Sequence, residues 1–521
     1  MTGSSGDSPG GRIEQSFLTS RLNGFVLFSP FEPDYFAMMP ASARVSGKRV
    51  LGEPTMAQSE HPTPAKRAKT TPQGGLLSVP LSDALYSESA VLKIWNVARR
   101  ALGTVEPPVL YPEYTGADGG YVYRYLDFWT SGFFPGSLYL LLERQTRYPQ
   151  YYMRQDKTAS LHPLQLQHLC QWWSANLHAN AAKKDTHDLG FMIAPWATKA
   201  WSLHRDPQAY SSLVLAAHSL AGRYDPRVQS IRSWDVCHTK LYSFCDPSKD
   251  FLVIIDNMLN LDLLFWVARE TGNHSLHEIA VAHARTTKKH HIRADNSTVH
   301  VVNFDARTGQ PLSKFTHQGY SDDSCWSRGQ AWGILGFMNT YEWTRDPEFL
   351  DTAIGLADCF LSRLPKDHVP YWDFDAPVTK GCPRDTSAGM VACCGLVLLY
   401  KALKETDPTR AQGYLDNALA ILEATVSGFI TPSLATFDVD RTGTDHPTFP
   451  EDEPHKQPGS LSMALKGPRA GKCPETILDG ATVCNYEFAS RRWADHGLVY
   501  ADYYFLLLGN MLLDLGLVTE V

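Results

Sequence analysis

Ser327-Arg328-Gly329-Gln330-Ala331-Trp332-Gly333 is one of six short turns, rich in Gly, Asp or Ser, that each open into an apolar run with helical spacing. The other five are Ser131-Gly132-Phe133-Phe134-Pro135-Gly136, His187-Asp188-Leu189-Gly190-Phe191, Ile255-Asp256-Asn257-Met258, Asp385-Thr386-Ser387-Ala388-Gly389 and His496-Gly497-Leu498-Val499-Tyr500. The first five recur at about 57 to 71 residues, a period that suits an outer helix, an inner helix and two loops. The pattern predicts six helix pairs.

Amphipathic segments lie between these turns. They cover roughly 81–102, 162–183, 208–223, 275–291, 348–363 and 409–428. The runs that follow the turns are instead rich in Gly, Ala and aromatic residues on most faces, which is typical of helices with neighbours on both sides. We therefore predict an all-α (α/α)6 barrel whose inner helices all start at one rim. Asp188, Asp256 and Arg328 are expected to converge there.

Composition and charge exclude several classes of protein. The 521 residues are 43% hydrophobic, which is enough for one large core, and the formal net charge is −7. This charge and the lack of a basic stripe argue against nucleic-acid binding. The apolar runs are shorter than the ~20 residues needed to cross a bilayer, so no membrane partner is expected. We predict a soluble, cytoplasmic protein, and no heptad pattern indicates its oligomeric state.

Two regions stand apart from the repeating pattern. Residues 1–77 are rich in Ser, Gly, Pro and Thr and are predicted to be a disordered or low-complexity leader, which leaves 78–521 as the (α/α)6-barrel domain. The Pro- and Gly-rich stretch 436–475 is predicted to be a surface insertion near the barrel rim. The basic run at 66–69 is too short to indicate a nuclear address, and no secretory signal pattern is evident.

The chain carries no motif for a bound metal or cofactor. Its ten cysteines show no CxxC pair and no zinc-type spacing with histidine, so they are predicted to be reduced core thiols. GxGxxG, P-loop, GxSxG and HExxH motifs are also missing from the sequence. We expect no cofactor and no metal, so the chemistry falls to ionisable groups at the six turns.

Asp188 and Asp256 each stand at the start of a predicted inner helix, where aspartate is a favoured N-cap. Capping alone would account for either residue. Asp256, however, follows five consecutive apolar residues at 251–255, so its carboxyl group is expected to be poorly solvated. Since both carboxyl groups would share one rim, a raised pKa is predicted.

Nine segments in order over 105–505 resemble the unsaturated glucuronyl hydrolases of glycoside hydrolase family 88, which have the six-hairpin (α/α) barrel. The segments are 127–136, 187–192, 232–234, 255–261, 297–300, 316–320, 326–333, 370–377 and 502–505. The resemblance implies an enzyme that removes the unsaturated uronic acid from the non-reducing end of oligosaccharides made by polysaccharide lyases. In the family, a carboxylic acid protonates C4 of the C4=C5 double bond and water adds at C5.

The resemblance also assigns roles to residues of this chain. Asp256 matches the acid/base residue and Asp188 the second aspartate. The residues implied in substrate binding are Trp129, Trp234, His300, Thr316, Gln318, Arg328 and Trp332. Arg328 could pair with the uronate or instead hold aspartates of the barrel, and Trp332 could equally be a core residue.

Other functions stay open at the level of sequence. One is a different (α/α)-barrel sugar enzyme, such as an unsaturated rhamnogalacturonyl hydrolase or a sugar epimerase; the chemistry of an epimerase would rest on histidines and survive loss of Asp256. Another is a catalytically inactive carbohydrate-binding toroid. Loss of the double bond, and its dependence on Asp256, separates the glucuronyl hydrolase from an epimerase and from a binding toroid. Activity on pectin-derived unsaturated sugars instead of chondroitin or hyaluronan disaccharides would indicate the rhamnogalacturonyl hydrolase.

Overall fold

The computed structural model describes residues 77–151, 162–431, 434–439, 461–466 and 474–518. The α-helices of this part of the chain are α1 (Val79–Tyr86), α2 (Glu88–Ala98), α3 (Phe133–Arg147), α4 (Pro163–Ser174), α5 (Leu189–His204), α6 (Pro207–Ala221), α7 (Asn257–Thr271), α8 (His274–His291), α9 (Ser327–Thr344), α10 (Pro347–Arg363), α11 (Thr386–Leu403), α12 (Pro408–Phe429) and α13 (Val499–Asp514).

The odd-numbered helices from α3 to α13 form the inner ring of a barrel. Each contacts the next in sequence, and α13 contacts α3, which closes the ring. The even-numbered helices from α2 to α12 form the outer layer, while α1 lies against α2, α12 and α13. The predicted (α/α)6 barrel is confirmed.

Local sequence signals account for the starts of several outer helices. Asp206, Asp346 and Asp407 each precede a proline at the first helical position, and each side chain accepts hydrogen bonds from backbone N–H groups of the first turn. Proline suits this position because its missing N–H would have no partner within the helix. These short signals set where three of the outer helices begin.

Glycine lets the inner helices approach each other closely. A Cβ atom on Gly190 in α5 would lie 2.5 Å from Asn260 Oδ1 of α7. A Cβ atom on Gly395 in α11 would lie 2.6 Å from Ile334 of α9. Both distances are too short for carbon, which explains why the inner helices are rich in glycine.

Short antiparallel sheets connect the helices, which the helical pattern did not predict. The strands are β1 (Leu110–Thr115), β2 (Tyr121–Tyr125), β3 (Tyr224–Asp225), β4 (Ser230–Ile231), β5 (Cys237–His238), β6 (Ser243–Phe244), β7 (Asp250–Ile254), β8 (Val301–Asp305), β9 (Pro311–Phe315), β10 (Leu434–Val439) and β11 (Leu461–Lys466). The order β7-β8-β9 makes a three-stranded sheet, and the other strands form hairpins. Strand β7 leads directly into Asp256 and α7.

Some sequence predictions fall partly outside the described residues. The leader at 1–77 is described only at Leu77, and the 436–475 stretch only in the backbone of the β10–β11 hairpin and at 474–475. The nine described cysteines are free thiols; Cys245 is exposed and Cys382 half-buried, so these two are not core residues. Within the described part, only α11 has the length and apolar character of a membrane span, and 78% of it is buried inside the barrel.

Candidate active site

A cavity of about 350 Å³ lies where the inner helices begin. Trp129 precedes α3, Asp188 and Asp256 directly precede α5 and α7, and Arg328 is the second residue of α9. Because the inner helices start at the same rim, these sequence-distant side chains line one cavity. The remaining lining residues are Glu113, Arg124, Phe128, His187, Trp234, Ile254, His317, Gln318, Trp326, Val483, Cys484, Ala489, Ser490, Arg491 and Trp493.

Asp256 carries the most perturbed carboxyl group of this cavity. Burial raises its pKa to about 7, Asp188 adds to the rise, and the positive charge of Arg328 opposes it. Its Oδ1 atom has no hydrogen-bond partner among the described residues. Asp256 does not cap α7, so the capping explanation is wrong for this residue. The carboxyl group is therefore poised to exchange a proton near neutral pH.

Asp188 sits beside Asp256 in a more polar setting. Thr186 Oγ1 donates to Asp188 Oδ2 at 2.9 Å, and His187 Nε2 lies 3.3 Å from Asp188 Oδ1. The side chain makes no capping hydrogen bond to α5, so capping does not explain this residue either. With 14% of its side chain exposed, Asp188 presents a carboxyl group to the cavity.

Arg328 is almost completely buried and is held from the side of α11. Its Nη1 donates to Asp385 Oδ2 and to the carbonyl of Thr482, both at 2.5 Å. Its Nη2 donates to the carbonyl of Val483 at 2.6 Å. These contacts agree with the prediction that Arg328 holds an aspartate of the barrel. A guanidinium has five N–H donors, so two remain without a partner among the described residues and can serve a ligand.

The other predicted binding residues divide into two groups. Trp129, Trp234 and Gln318 line the cavity, and Gln318 Nε2 donates to the carbonyl of Val483 at 2.8 Å. His300 and Thr316 lie behind the lining: the His300 ring packs on Trp234 and Trp326, and its Nδ1 accepts from the backbone N–H of His317. This contact places the imidazole proton on Nε2. Burial lowers the pKa of His300 well below its usual value, so the ring is neutral.

Trp332 does not line the cavity. Its ring lies 5.3 Å from that of Phe191 and 5.5 Å from that of Tyr504, and Phe133 completes a ring of four contacting aromatic side chains. We call Phe133, Phe191, Trp332 and Tyr504 the aromatic layer. This layer lies across the barrel interior beneath Trp129. Trp332 was predicted to contact substrate, but its side chain packs in the core instead.

Sequence reasoning missed several lining residues. His317 and Trp326 lie inside segments that carried the family resemblance, so their positions were within reach of the sequence. Arg124 lies in strand β2 and Arg491 in a loop before α13, close in sequence to the turns at 131–136 and 496–500 but outside every motif that was singled out. Only the folded chain brings these two cations to the cavity.

The chain is similar to known enzymes in sequence, although no family model matches it. It is 38% identical over 299 residues to the unsaturated glucuronyl hydrolase of Formosa agariphila, covering 56% of this chain and 67% of that protein. It is 33% identical over 319 residues to the unsaturated glucuronyl hydrolase of Bacillus sp. strain GL1, covering 61% and 79%. The unsaturated chondroitin disaccharide hydrolase of Streptococcus agalactiae serotype III is 35% identical over 302 residues, covering 58% and 70%.

Solved structures agree with the sequence comparisons. A crystal structure of an unsaturated glucuronyl hydrolase specific for heparin matches with a TM-score of 0.63 and 28% identity, over 84% of this chain and 98% of that chain. A Streptococcus agalactiae mutant enzyme complexed with dGlcA-GalNAc6S matches with a TM-score of 0.60 and 26% identity, over 84% and 93%.

Proposed function

The chain belongs to the unsaturated glucuronyl hydrolases, and we propose that it removes a C4=C5-unsaturated glucuronic acid from the non-reducing end of lyase-generated oligosaccharides. The observation that carries the proposal is the buried Asp256 carboxyl group with a pKa of about 7, in a cavity that also holds Asp188. Protonation of a vinyl ether needs a carboxylic acid that still holds its proton near neutral pH.

The proposed reaction begins with proton transfer from Asp256 to C4. The π electrons of the C4=C5 bond form the new C4–H bond, and the positive charge on C5 is shared with the ring oxygen. Water then adds at C5 and gives up a proton to the Asp256 carboxylate, which regenerates the acid. The C5 hemiketal opens to a ketone and leaves a hemiacetal at C1. That hemiacetal collapses to an aldehyde and releases the rest of the oligosaccharide as an alcohol.

Asp188 assists by its charge and by its position. A neighbouring carboxylate disfavours ionisation of Asp256, which adds to the larger effect of burial. A negative charge near the cavity also stabilises the positive charge that develops at C5 and the ring oxygen. Because the reaction is a hydration, the carboxylate spacing of retaining and inverting glycosidases does not apply.

The cavity suits an anionic sugar although the whole chain is acidic. Arg124, Arg328 and Arg491 all line it, and Arg491 stacks on Trp493 at 4.9 Å. These cations supply a local positive potential for a uronate carboxylate. Two unpartnered N–H groups of Arg328 are proposed to bind that carboxylate. Trp129 and Trp234 offer faces for the apolar side of the pyranose ring.

The test follows the ultraviolet absorbance of the C4=C5 bond in an unsaturated chondroitin or hyaluronan disaccharide. Wild type should remove the absorbance, and Asp256→Asn should slow this by about 10²–10⁴-fold. Asp262→Asn is a matched control, since Asp262 lies on α7 outside the cavity and accepts from Trp343 Nε1. It should keep wild-type activity.

Two outcomes would support the other functions. Loss of absorbance that survives in Asp256→Asn would indicate chemistry resting on another group, such as a histidine. Tight binding of the disaccharide with unchanged absorbance in wild type would indicate a carbohydrate-binding toroid.

A further inference from the structure

His187, the residue before Asp188, has a ring whose hydrogen bonding is fixed on one side. Its Nδ1 lies 3.1 Å from the carbonyl oxygen of Ser233, which also accepts from Arg223 Nη2 at 3.2 Å. A carbonyl oxygen only accepts hydrogen bonds, so Nδ1 carries a proton. In the neutral imidazole, Nε2 therefore bears a lone pair.

The nearest charged group to Nε2 is the carboxylate of the next residue. Nε2 lies 3.3 Å from Asp188 Oδ1, and no described residue donates a hydrogen bond to it. The Thr186 hydroxyl uses its single proton on Asp188 Oδ2. While Nε2 carries no proton, Nε2 and Asp188 Oδ1 are two acceptors 3.3 Å apart with no proton between them, so the contact is repulsive. One added proton turns this repulsion into an ion pair or a hydrogen bond.

Burial and a neighbouring cation disfavour a proton on His187 Nε2 before an anion enters the cavity. His187 is fully buried, and Arg223 lies close by, paired with Asp235 at 3.0 Å. His283 approaches from α8 and is itself neutral because burial lowers its pKa to about 3. Burial and Arg223 lower the pKa of His187, while Asp188 raises it, and the balance lies below the usual value.

A bound uronate changes this balance. Its carboxylate adds a negative charge to a cavity lined by His187, Asp188 and Asp256, which favours the protonated state of any group there. Asp256 must keep its own proton for C4. With substrate bound, a proton on the His187–Asp188 pair lowers the net negative charge of the cavity by one.

We propose that His187 and Asp188 together take up one proton when the substrate carboxylate enters the cavity, which makes His187 a positioning residue for the reaction. This inference rests on the proposed function, because it requires that the cavity bind an unsaturated uronate. The shared proton compensates the charge of the substrate and orients the Asp188 carboxyl group beside Asp256.

Calorimetry of binding tests the proposal directly. Asp256→Asn is titrated with an unsaturated chondroitin disaccharide between about pH 6 and pH 7.5, in buffers with different ionisation enthalpies. This variant slows turnover strongly and removes the titration of Asp256 itself. The dependence of the observed heat on buffer enthalpy gives the number of protons taken up, which should approach about one at the lower pH values.

Paired variants assign the proton. Adding His187→Gln to Asp256→Asn should reduce the uptake to near zero while disaccharide binding persists, and adding Asp188→Asn should do the same. Adding His317→Gln is the matched control, since His317 also lines the cavity but packs on Trp234. This control should retain the uptake. Circular dichroism identifies any variant that fails to fold, and the Asp188→Asn comparison then decides the result.

Three results would overturn the inference: binding without proton uptake, uptake that survives both His187→Gln and Asp188→Asn, or uptake lost in His317→Gln. If wild type still removes the ultraviolet absorbance, the proposed function stands without it. Absence of both disaccharide binding and turnover would overturn the two together.

Discussion

Arg328 and Asp385 form a buried ion pair, with 2.5 Å between Nη1 and Oδ2, that joins the first turn of α9 to the start of α11. The same carboxylate caps α11 by accepting from the backbone N–H groups of Ser387 and Ala388. One side chain therefore closes a contact between neighbouring inner helices and holds the cation that faces Asp256.

Asp385→Ala should destabilise the barrel strongly. Removing one partner of a buried pair leaves an uncompensated charge and costs about 3–5 kcal/mol, and the cap is lost as well. Urea denaturation measures the effect. Glu270→Ala is the control, because its pair with Arg269 is largely solvent-exposed and should contribute at most about 1 kcal/mol. A similar small loss for both variants would contradict the role of Asp385.

The pH dependence of the reaction should follow Asp256. The acid must be protonated to donate to C4, and its pKa is raised to about 7, mainly by burial. The ratio kcat/KM, which reports the free enzyme, should therefore be highest below about pH 7 and fall as the pH rises through that value. Initial rates of absorbance loss at substrate concentrations well below KM give the profile. A rate that keeps rising above about pH 8 would exclude Asp256 as the acid.

Asp256 should also make stability depend on pH. A carboxyl group whose pKa is raised on folding contributes stability at low pH, and this contribution is lost as the pH rises through the folded-state pKa. Between about pH 4 and pH 8, the free energy of unfolding of wild type should fall by about 4 kcal/mol relative to Asp256→Asn. Asp502, whose pKa burial also raises to about 7, is present in both proteins and cancels. A pH-independent difference between the two proteins would contradict the buried state of Asp256.

The sequence predicted the helices well where local signals coincide with packing. The predicted segment 348–363 is observed as Pro347–Arg363, and 409–428 as Pro408–Phe429, each started by an Asp-Pro pair. The segment 81–102 was predicted as one helix, but Ser87 caps a new helix there and divides it.

Strands and long-range contacts were harder to predict. The apolar residues 251–254 form strand β7, and a run this short fits a strand or a buried helix equally by pattern. In the site, the convergence of Asp188, Asp256 and Arg328 could be predicted, because the inner helices that begin at these residues start at the same rim. Arg124 reaches the cavity from strand β2 and Arg491 from a loop before α13, and no local pattern predicted that either side chain would point there.

Trp332 and Trp129 should behave differently when substituted. Trp332 is 1% exposed within the aromatic layer, so Trp332→Ala should cost about 3–5 kcal/mol of stability. Trp129 lines the cavity, so Trp129→Ala should mainly raise KM. Thermal denaturation and steady-state kinetics on both variants separate the two effects. A Trp332→Ala protein with wild-type stability and a raised KM would indicate that Trp332 contacts the substrate.

Gly190→Ala should disturb the contact between α5 and α7. The new methyl group would lie 2.5 Å from Asn260 Oδ1, which accepts from the backbone N–H of Phe191. Overpacking of this kind costs about 1–3 kcal/mol. Gly413→Ala on α12 meets no atom within 4 Å and should be neutral or stabilising. Chemical denaturation compares the two variants, and equal effects would contradict the close approach of these helices.

Turnover in D2O tests the hydration mechanism most directly, with the product analysed by NMR at early times. If Asp256 protonates C4, wild type should release the sugar partner, lose the C4=C5 absorbance and place one deuterium on C4 of the released uronic acid derivative. Release of an unsaturated uronic acid that keeps its double bond and carries no deuterium on carbon would show ordinary glycoside hydrolysis and contradict the account.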